Sequence, residues 1–230
     1  VESLYQYAFY QWFEAEGYSY NYMKEQPRMI KRISVHPSWT GEDLLTLLQN
    51  GMPKDIPFRD TFETDAGWKL LWGTHTIIGN EMEIGATFDS TGATSILDGT
   101  KHWTDYTAHI ELASPRQTGV TILIRFRDVR NYAVCNLGNG FAHIEQMIDG
   151  ENHVLKGNRS PEYGIPTGPF TIDATVKGRS VSCSMNGTEL VSTTFLDPTL
   201  NSGGIGIKTW DPILGKSTLL IDRVNVSTSN

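Results

Sequence analysis

A chain of 230 residues is long enough for one large core, or for a domain of about 170 residues with a smaller piece attached. Hydrophobic residues make up 39% and charged residues 20%, an ordinary balance for a folded globular protein, which excludes an intrinsically disordered chain. The formal net charge of -7 argues against a nucleic-acid partner and against docking on anionic lipid, both of which need clustered positive charge. No apolar run approaches the roughly 18 residues needed to cross a bilayer, so membrane insertion is not expected.

The chain begins at Val1 without a methionine, and "VESLYQYAFYQW" lacks the basic region, apolar stretch and cleavage site of a secretory signal; it is read as a fragment or a processed product. The segment "SLYQYAFYQWFEAEG" has apolar residues at helical spacing and ends at Gly17, suited to a helix C-cap. "RISV" reads as a short strand. "TGEDLLTLLQNG" then offers Thr40 as N-cap, acids in the first turn, a leucine stripe and Asn50-Gly51 as a stop. Residues 1–56 are therefore expected to form an α/β tail, with the boundary at "GMPKDIP", where two prolines bracket a polar stretch.

From residue 57 to residue 230 short alternating segments follow one another, separated by Gly, Asn, Asp and Pro. Strands are expected at "MEIGATF", "YTAHIEL", "VTILIRF", "YAVCNLG", "FAHIEQMI", "FTIDATV", "SVSCSMN", "ELVSTTF", "GIGIKTW" and "LLIDRVNV". Asn139-Gly140, Asp149-Gly150 and Asn186-Gly187 supply the positive φ angles of tight hairpins. Strands without intervening helices imply an all-β sandwich or barrel. Cys135 and Cys183 are too few for a disulfide framework or a zinc site; each falls on the apolar side of its strand, and both are read as buried free thiols.

Alternation divides each strand into two faces. In "VTILIRFR", Val120, Ile122, Ile124 and Phe126 point one way, and Thr121, Leu123, Arg125 and Arg127 the other. Tyr132, Val134 and Asn136 oppose Ala133, Cys135 and Leu137; Phe141, His143, Glu145 and Met147 oppose Ala142, Ile144, Gln146 and Ile148. These consecutive segments are expected to pair as a meander, which lays their outward sets side by side. Trp103, with Asp105, and Lys208 with Trp210 are expected on polar faces of two further strands. A tryptophan on a polar face needs a reason. Sugars supply one, because their C–H patches lie on aromatic rings while their hydroxyls need Arg, Asp, Glu, Asn or His. Arg125, Tyr132, Asn136, His143, Glu145 and Lys208 with Trp103 or Trp210 meet that need; the alternative is a solvated sheet with its tryptophans under loops.

The stretches "FRDTFETDAGWKLLWGTHTIIGNEMEI", "HWTDYTAHIEL", "GVTILIRFRDVRNYAVCNLG", "VKGRSVSCSMNGTELV" and "GGIGIKTW…LLIDRVNV", in that order, resemble the concanavalin A-like jelly-roll sandwiches. More narrowly they resemble the laminin G-like, levan-binding type of carbohydrate-binding module and the related 3-keto-disaccharide hydrolase domains. The resemblance implies two antiparallel sheets and a polysaccharide or oligosaccharide held on the concave sheet or its bordering loops, with Arg125 at a position such modules often use. It also implies a structural calcium in some members, for which Asp60 and Asp222 are the nearest candidates, although calcium wants six to eight oxygens. "EAEGYSYNYM…MIKRISVHPSWTGEDLLTLL" resembles the end of a polysaccharide deacetylase domain, without that family's Asp-Asp-Gly and H-x-x-x-H residues. The alternative is a helical cap belonging to the sandwich.

The expected function is thus a non-catalytic carbohydrate-binding module of a secreted or cell-surface enzyme, acting as a monomer or as part of a longer chain. None of His36, His75, His102, His109, His143 and His153 has H-E-x-x-H spacing, and there is no G-x-S-x-G elbow or phosphate loop. A second reading is a sandwich glycoside hydrolase or lyase using Glu145 with Asp105 or Asp149. A third is a laminin G-like protein-interaction module. Sequons at Asn158, Asn186 and Asn225 are at the level of chance.

Overall fold

A computed structural model describes residues 40–42, 52–64, 66–116 and 119–229. The chain divides into two compact units, Val1–Gly51 and Met52–Asn230. Apart from residues 40–42, the first unit lies outside the described residues, and so do the expected helix at residues 3–17, the "RISV" strand and the deacetylase-like stretch. The Lys54 N–H donates to the carbonyl of Gly99 and its Nζ donates to the carbonyl of Asp98 at 2.7 Å, so Lys54, assigned to the tail from the sequence, bonds within the second unit.

The second unit is built of strands β1 (Phe58–Asp60), β2 (Trp68–Trp72), β3 (Thr74–Ile78), β4 (Glu81–Gly85), β5 (Gly92–Leu97), β6 (Tyr106–Arg116), β7 (Gly119–Asp128), β8 (Asn131–Gly138), β9 (Phe141–Ile148), β10 (Glu151–Arg159), β11 (Phe170–Lys177), β12 (Ser180–Met185), β13 (Thr188–Thr193), β14 (Gly204–Trp210) and β15 (Thr218–Thr228). They form two antiparallel sheets. One has eight strands in the order β13-β12-β11-β6-β15-β4-β3, with β1 added to β15; the other has seven, in the order β10-β9-β8-β7-β14-β5-β2.

The inward residues of each strand meet between the layers. Ile110, Ile172 and Val224 of the eight-stranded sheet and Ile122, Ile144 and Ile207 of the seven-stranded sheet belong to one fully buried cluster. Cys135 of β8 and Cys183 of β12 belong to it too, and they form a disulfide, which corrects the expectation of two free thiols. Alternation had set both sulfurs inward; that they come from facing layers is what lets them meet. Their Cα atoms are 5.8 Å apart, closer than the roughly 10 Å of facing sheets, so the layers pinch together here.

One feature of β7 controls the site. Leu123 pairs with Gly206 and Phe126 with Gly204, so Ile124 and Arg125 together oppose the single residue Ile205. This is a β-bulge, and Arg125 takes a left-handed φ of 51° within it. The extra residue inverts the parity of the strand. Phe126, expected inward with Ile124, lies on the outer face in a second small cluster with Leu123, Val134 and Ile96.

Candidate carbohydrate-binding face

The outer face of the seven-stranded sheet carries a continuous transverse row. Pairing registers align Gly157 of β10, His143 of β9, Asn136 of β8, Thr121 of β7, Lys208 of β14, Thr94 of β5 and Trp72 of β2. Neighbouring side chains in such a row stand about 5 Å apart and act as one surface. The Thr121 hydroxyl donates to Asn136 Oδ1 at 3.0 Å, and Asn136 Nδ2 donates to Glu145 Oε1 at 2.9 Å. Asn152 Nδ2 donates to the other Glu145 oxygen at 3.2 Å, and His143 Nδ1 lies 3.5 Å from Oε1. Lys208 Nζ sits over the Trp72 ring, 5.7 Å from its centroid. Burial lowers the Lys208 pKa from the usual lysine value, and the negative charge of Glu145 partly offsets this.

Beside this row runs a flat aromatic one. Trp210 pairs with Gly119, Gly119 with Gly138, and Gly138 with Phe141. The Trp210 and Phe141 rings stack with centroids 6.2 Å apart and planes 25° apart, and Phe141 also meets the His143 ring at 4.8 Å. Glycine makes this possible. A Cβ on Gly119 would come within 2.1 Å of the Trp210 ring, and one on Gly138 within 2.4 Å of the Phe141 ring, so both rings lie directly on the backbone. On the other side of the polar row, Leu123, Val134 and Ile96 form the second apolar cluster, with Tyr132 packed against it and 6.0 Å from Phe126. Burial and then Glu145 raise the Tyr132 pKa above the usual phenol value.

Six of the expected site residues, Tyr132, Asn136, His143, Glu145, Lys208 and Trp210, thus share one face. Two do not. Arg125 is only 1% exposed and its guanidinium is turned into the end of the sandwich by the bulge. There it donates to the carbonyls of Asn201 at 2.7 Å and Gly178 at 3.2 Å and to Asp105 Oδ1 at 3.1 Å, and its own N–H donates to the Tyr106 hydroxyl oxygen. Trp103 is 2% exposed, precedes β6, packs against Phe58 and Tyr106, and donates its indole N–H to the carbonyl of Lys54. Both belong to the core, so neither can be a ligand contact on the sheet. The sequence reading left out Trp72, Thr94, Thr121 and Asn152. Glycines at 119 and 138, at the adjoining ends of β7 and β8, were the signal that a ring lies close to the backbone.

Asp60 and Asp222, the candidates for a calcium ion, each have protein partners of their own. Asp60 is buried, and its two oxygens accept from the Phe62 N–H and the Trp68 indole N–H, both at 2.8 Å. Asp222 is hydrogen-bonded to Glu81, whose pKa it raises. Among the described residues no group of three or more His, Cys, Asp or Glu converges. The carboxylate pairs proposed for hydrolysis do not form either. Asp149 sits in the β9–β10 turn with φ 50°. β9 ends at Ile148, so Asp149 does not continue the face that carries Glu145, as one run of paired acids would need. Asp105 is bonded to Arg125 and to the Gly178 N–H at the end of the sandwich, away from this outer face. A separate groove of about 390 Å3 opens at the edge of the sheets, lined by Lys156, Lys177, Ser182 and Phe195 among others, and shares no residue with the row.

No protein-family model and no curated protein matches the chain in sequence. Solved structures do match in shape. The carbohydrate-binding module CBM66 from Bacillus subtilis superposes with a TM-score of 0.56 at 12% identity over 71% of this chain and 96% of that one. The carbohydrate recognition domain of Emp46p gives 0.54 at 11% identity, over 73% and 91%. The β-glucanase of Bacillus licheniformis gives 0.54 at 11% identity, over 75% and 98%. The described unit is a concanavalin A-like jelly-roll sandwich. Its sheets, their antiparallel order and the near-complete coverage of these neighbours all agree on that fold, at identities too low to carry function with it. The jelly roll's aromatic and polar rows are therefore weighed on their own chemistry.

Proposed function

We propose that the jelly roll binds a polysaccharide or oligosaccharide on the outer face of its seven-stranded sheet. The observation that carries this is the register that aligns His143, Asn136, Thr121, Lys208, Thr94 and Trp72 beside the Trp210–Phe141 platform. A sugar ring has an apolar face for the stacked rings and hydroxyls for a line of alternating donors and acceptors, and the two rows offer both within one ring's width. Two of the structural neighbours named above are themselves carbohydrate-binding domains by name, which supports the reading.

The role we infer is that of a non-catalytic module in an extracellular carbohydrate-active enzyme, the segment before residue 57 being the end of a polysaccharide deacetylase domain. A cross-sheet disulfide accords with an oxidising compartment. A glycan array followed by calorimetry tests the binding. Trp210→Ala and Phe141→Ala should each lower affinity for the captured glycan at least tenfold, with the far-UV spectrum unchanged. Failure of the wild type to bind any glycan, or full affinity in both variants, removes the proposal. Release of reducing sugar from the captured polysaccharide would instead favour the hydrolase reading.

A further inference from the structure

Lys208 is the centre of the polar row, and its ammonium is the group least well served there. Glu145, the carboxylate whose charge reaches it, already accepts hydrogen bonds from Asn136 and Asn152 and lies beside His143. Among the described residues no carboxylate pairs with Lys208 Nζ; its one close partner is the Trp72 ring. Directly across the strand pair lies Thr94, which is 4% exposed and whose hydroxyl has no hydrogen-bond partner among the described residues. Thr94 is on the outer face, since its neighbours Ala93 and Leu97 enter the main core while Ile96 joins the outer cluster. Buried hydroxyls without partners are rare in folded proteins, and a half-buried cation with no carboxylate paired to it is costly. Here both occur side by side, between Trp72 and Trp210, in the middle of the surface proposed to hold a sugar.

We infer that Lys208 and Thr94 form a subsite for the carboxylate of an acidic sugar, so that the ligand is a uronic-acid-containing glycan. This rests on the carbohydrate-binding reading and narrows it. A carboxylate accepts from Nζ with one oxygen and from the Thr94 hydroxyl with the same or the other, completing both groups at once. A neutral sugar hydroxyl would complete the hydrogen bonds and leave the charge uncompensated. Trp72 then serves twice, holding the lysine stem against its ring and walling the subsite. The protein's net charge of -7 would repel a polyanion at long range, so recognition must come from this local cation and will be salt-sensitive.

Calorimetry on the wild-type chain decides this with paired probes. Oligogalacturonate, oligoglucuronate and oligomannuronate are each titrated beside a counterpart of equal length whose carboxyls are methyl-esterified. At least one acid should bind at least tenfold more tightly than its ester, and 0.5 M NaCl should narrow that gap. In Lys208→Gln the acid and its ester should bind within twofold of each other, and the isosteric Thr94→Val should lose at least threefold of the preference while melting as the wild type does. Sodium phosphate and sodium sulfate, added alone, test whether any oxyanion suffices; displacement of the acid at equimolar phosphate would overturn the assignment to a sugar acid. Equal or tighter binding of the esters, or of neutral glycans only, overturns this inference and leaves the carbohydrate-binding reading standing. Absence of binding to every glycan, acidic or neutral, overturns both.

Discussion

Arg125 shows how a single side chain can carry the signature of a binding residue and serve the fold instead. Its guanidinium reaches Asn201, Gly178, Asp105 and the Trp103 carbonyl, joining loops from both layers at one end of the sandwich. Truncation would empty the space that this 1%-exposed side chain fills and remove its hydrogen bonds, although Asn201, Gly178 and Asp105 themselves reach water. Arg125→Ala should therefore cost about 2 to 4 kcal/mol, from lost packing and lost hydrogen bonds, and Arg125→Lys should recover little, because a single ammonium nitrogen cannot reach the four oxygens that the two terminal guanidinium nitrogens serve. Urea denaturation measures the loss; glycan affinity, per folded molecule, should stay within a factor of two or three. A stable Arg125→Ala protein that has lost binding would return this arginine to the ligand. By contrast Asn136, His143 and Glu145 were legible as a group from alternation alone, because β8 and β9 are regular and pair without interruption.

What broke legibility at the level of the strand was the bulge. A period of two predicts side-chain direction only while the register is unbroken, and one added residue sends Phe126 outward and Arg125 to the sandwich's end. Nothing in "ILIRFR" marks the insertion; its enabling residue is Gly203, remote in sequence, whose φ of 153° lets its chain pass where a Cβ would lie 2.2 Å from the Arg125 carbonyl carbon. Strands β1, β2, β3, β5 and β10 escaped the sequence reading, β5 and β10 for opposite reasons. β5, "GATSIL", is buried on both faces and has no alternation to detect, whereas β10, an edge strand, is largely exposed on both. The glycine-floored platform yields a prediction at this scale. Gly119→Ala must push the Trp210 ring off the backbone, so glycan affinity should fall about tenfold, roughly 1.4 kcal/mol, with a stability cost of about 1 to 3 kcal/mol from overpacking. Gly168, whose added Cβ would meet nothing within 4 Å, provides the control, and Gly168→Ala should change neither quantity. Unchanged affinity in Gly119→Ala would mean that Trp210 is not a ligand surface.

At the scale of the molecule, alternation and turn pairs pointed to a sandwich or barrel and the jelly-roll resemblance to two antiparallel sheets, while the pairing of the layers across the core was not locally encoded. The disulfide belongs to that second kind of information. Cys135 and Cys183 are 48 residues apart and on different sheets, and only the closed sandwich brings them together. A cross-link of that span removes denatured-state freedom worth about 4 kcal/mol on a chain-entropy estimate, a large share of the roughly 5 to 15 kcal/mol by which domains are stable. Reduction, or the double substitution Cys135→Ala with Cys183→Ala, should therefore lower the urea midpoint strongly and raise the m-value, since the denatured chain expands once the tether is gone. The Cys135 and Cys183 sulfurs are buried in the core, so thiol titration of the oxidised protein must be done in denaturant, where it should find none; two titratable thiols there would mean that no bridge forms. The same measurement bears on location. If chain made in a reducing cytosol unfolds at the midpoint of the double-alanine variant, and chain exported to an oxidising compartment unfolds at the higher one, full stability depends on the extracellular setting proposed for this module.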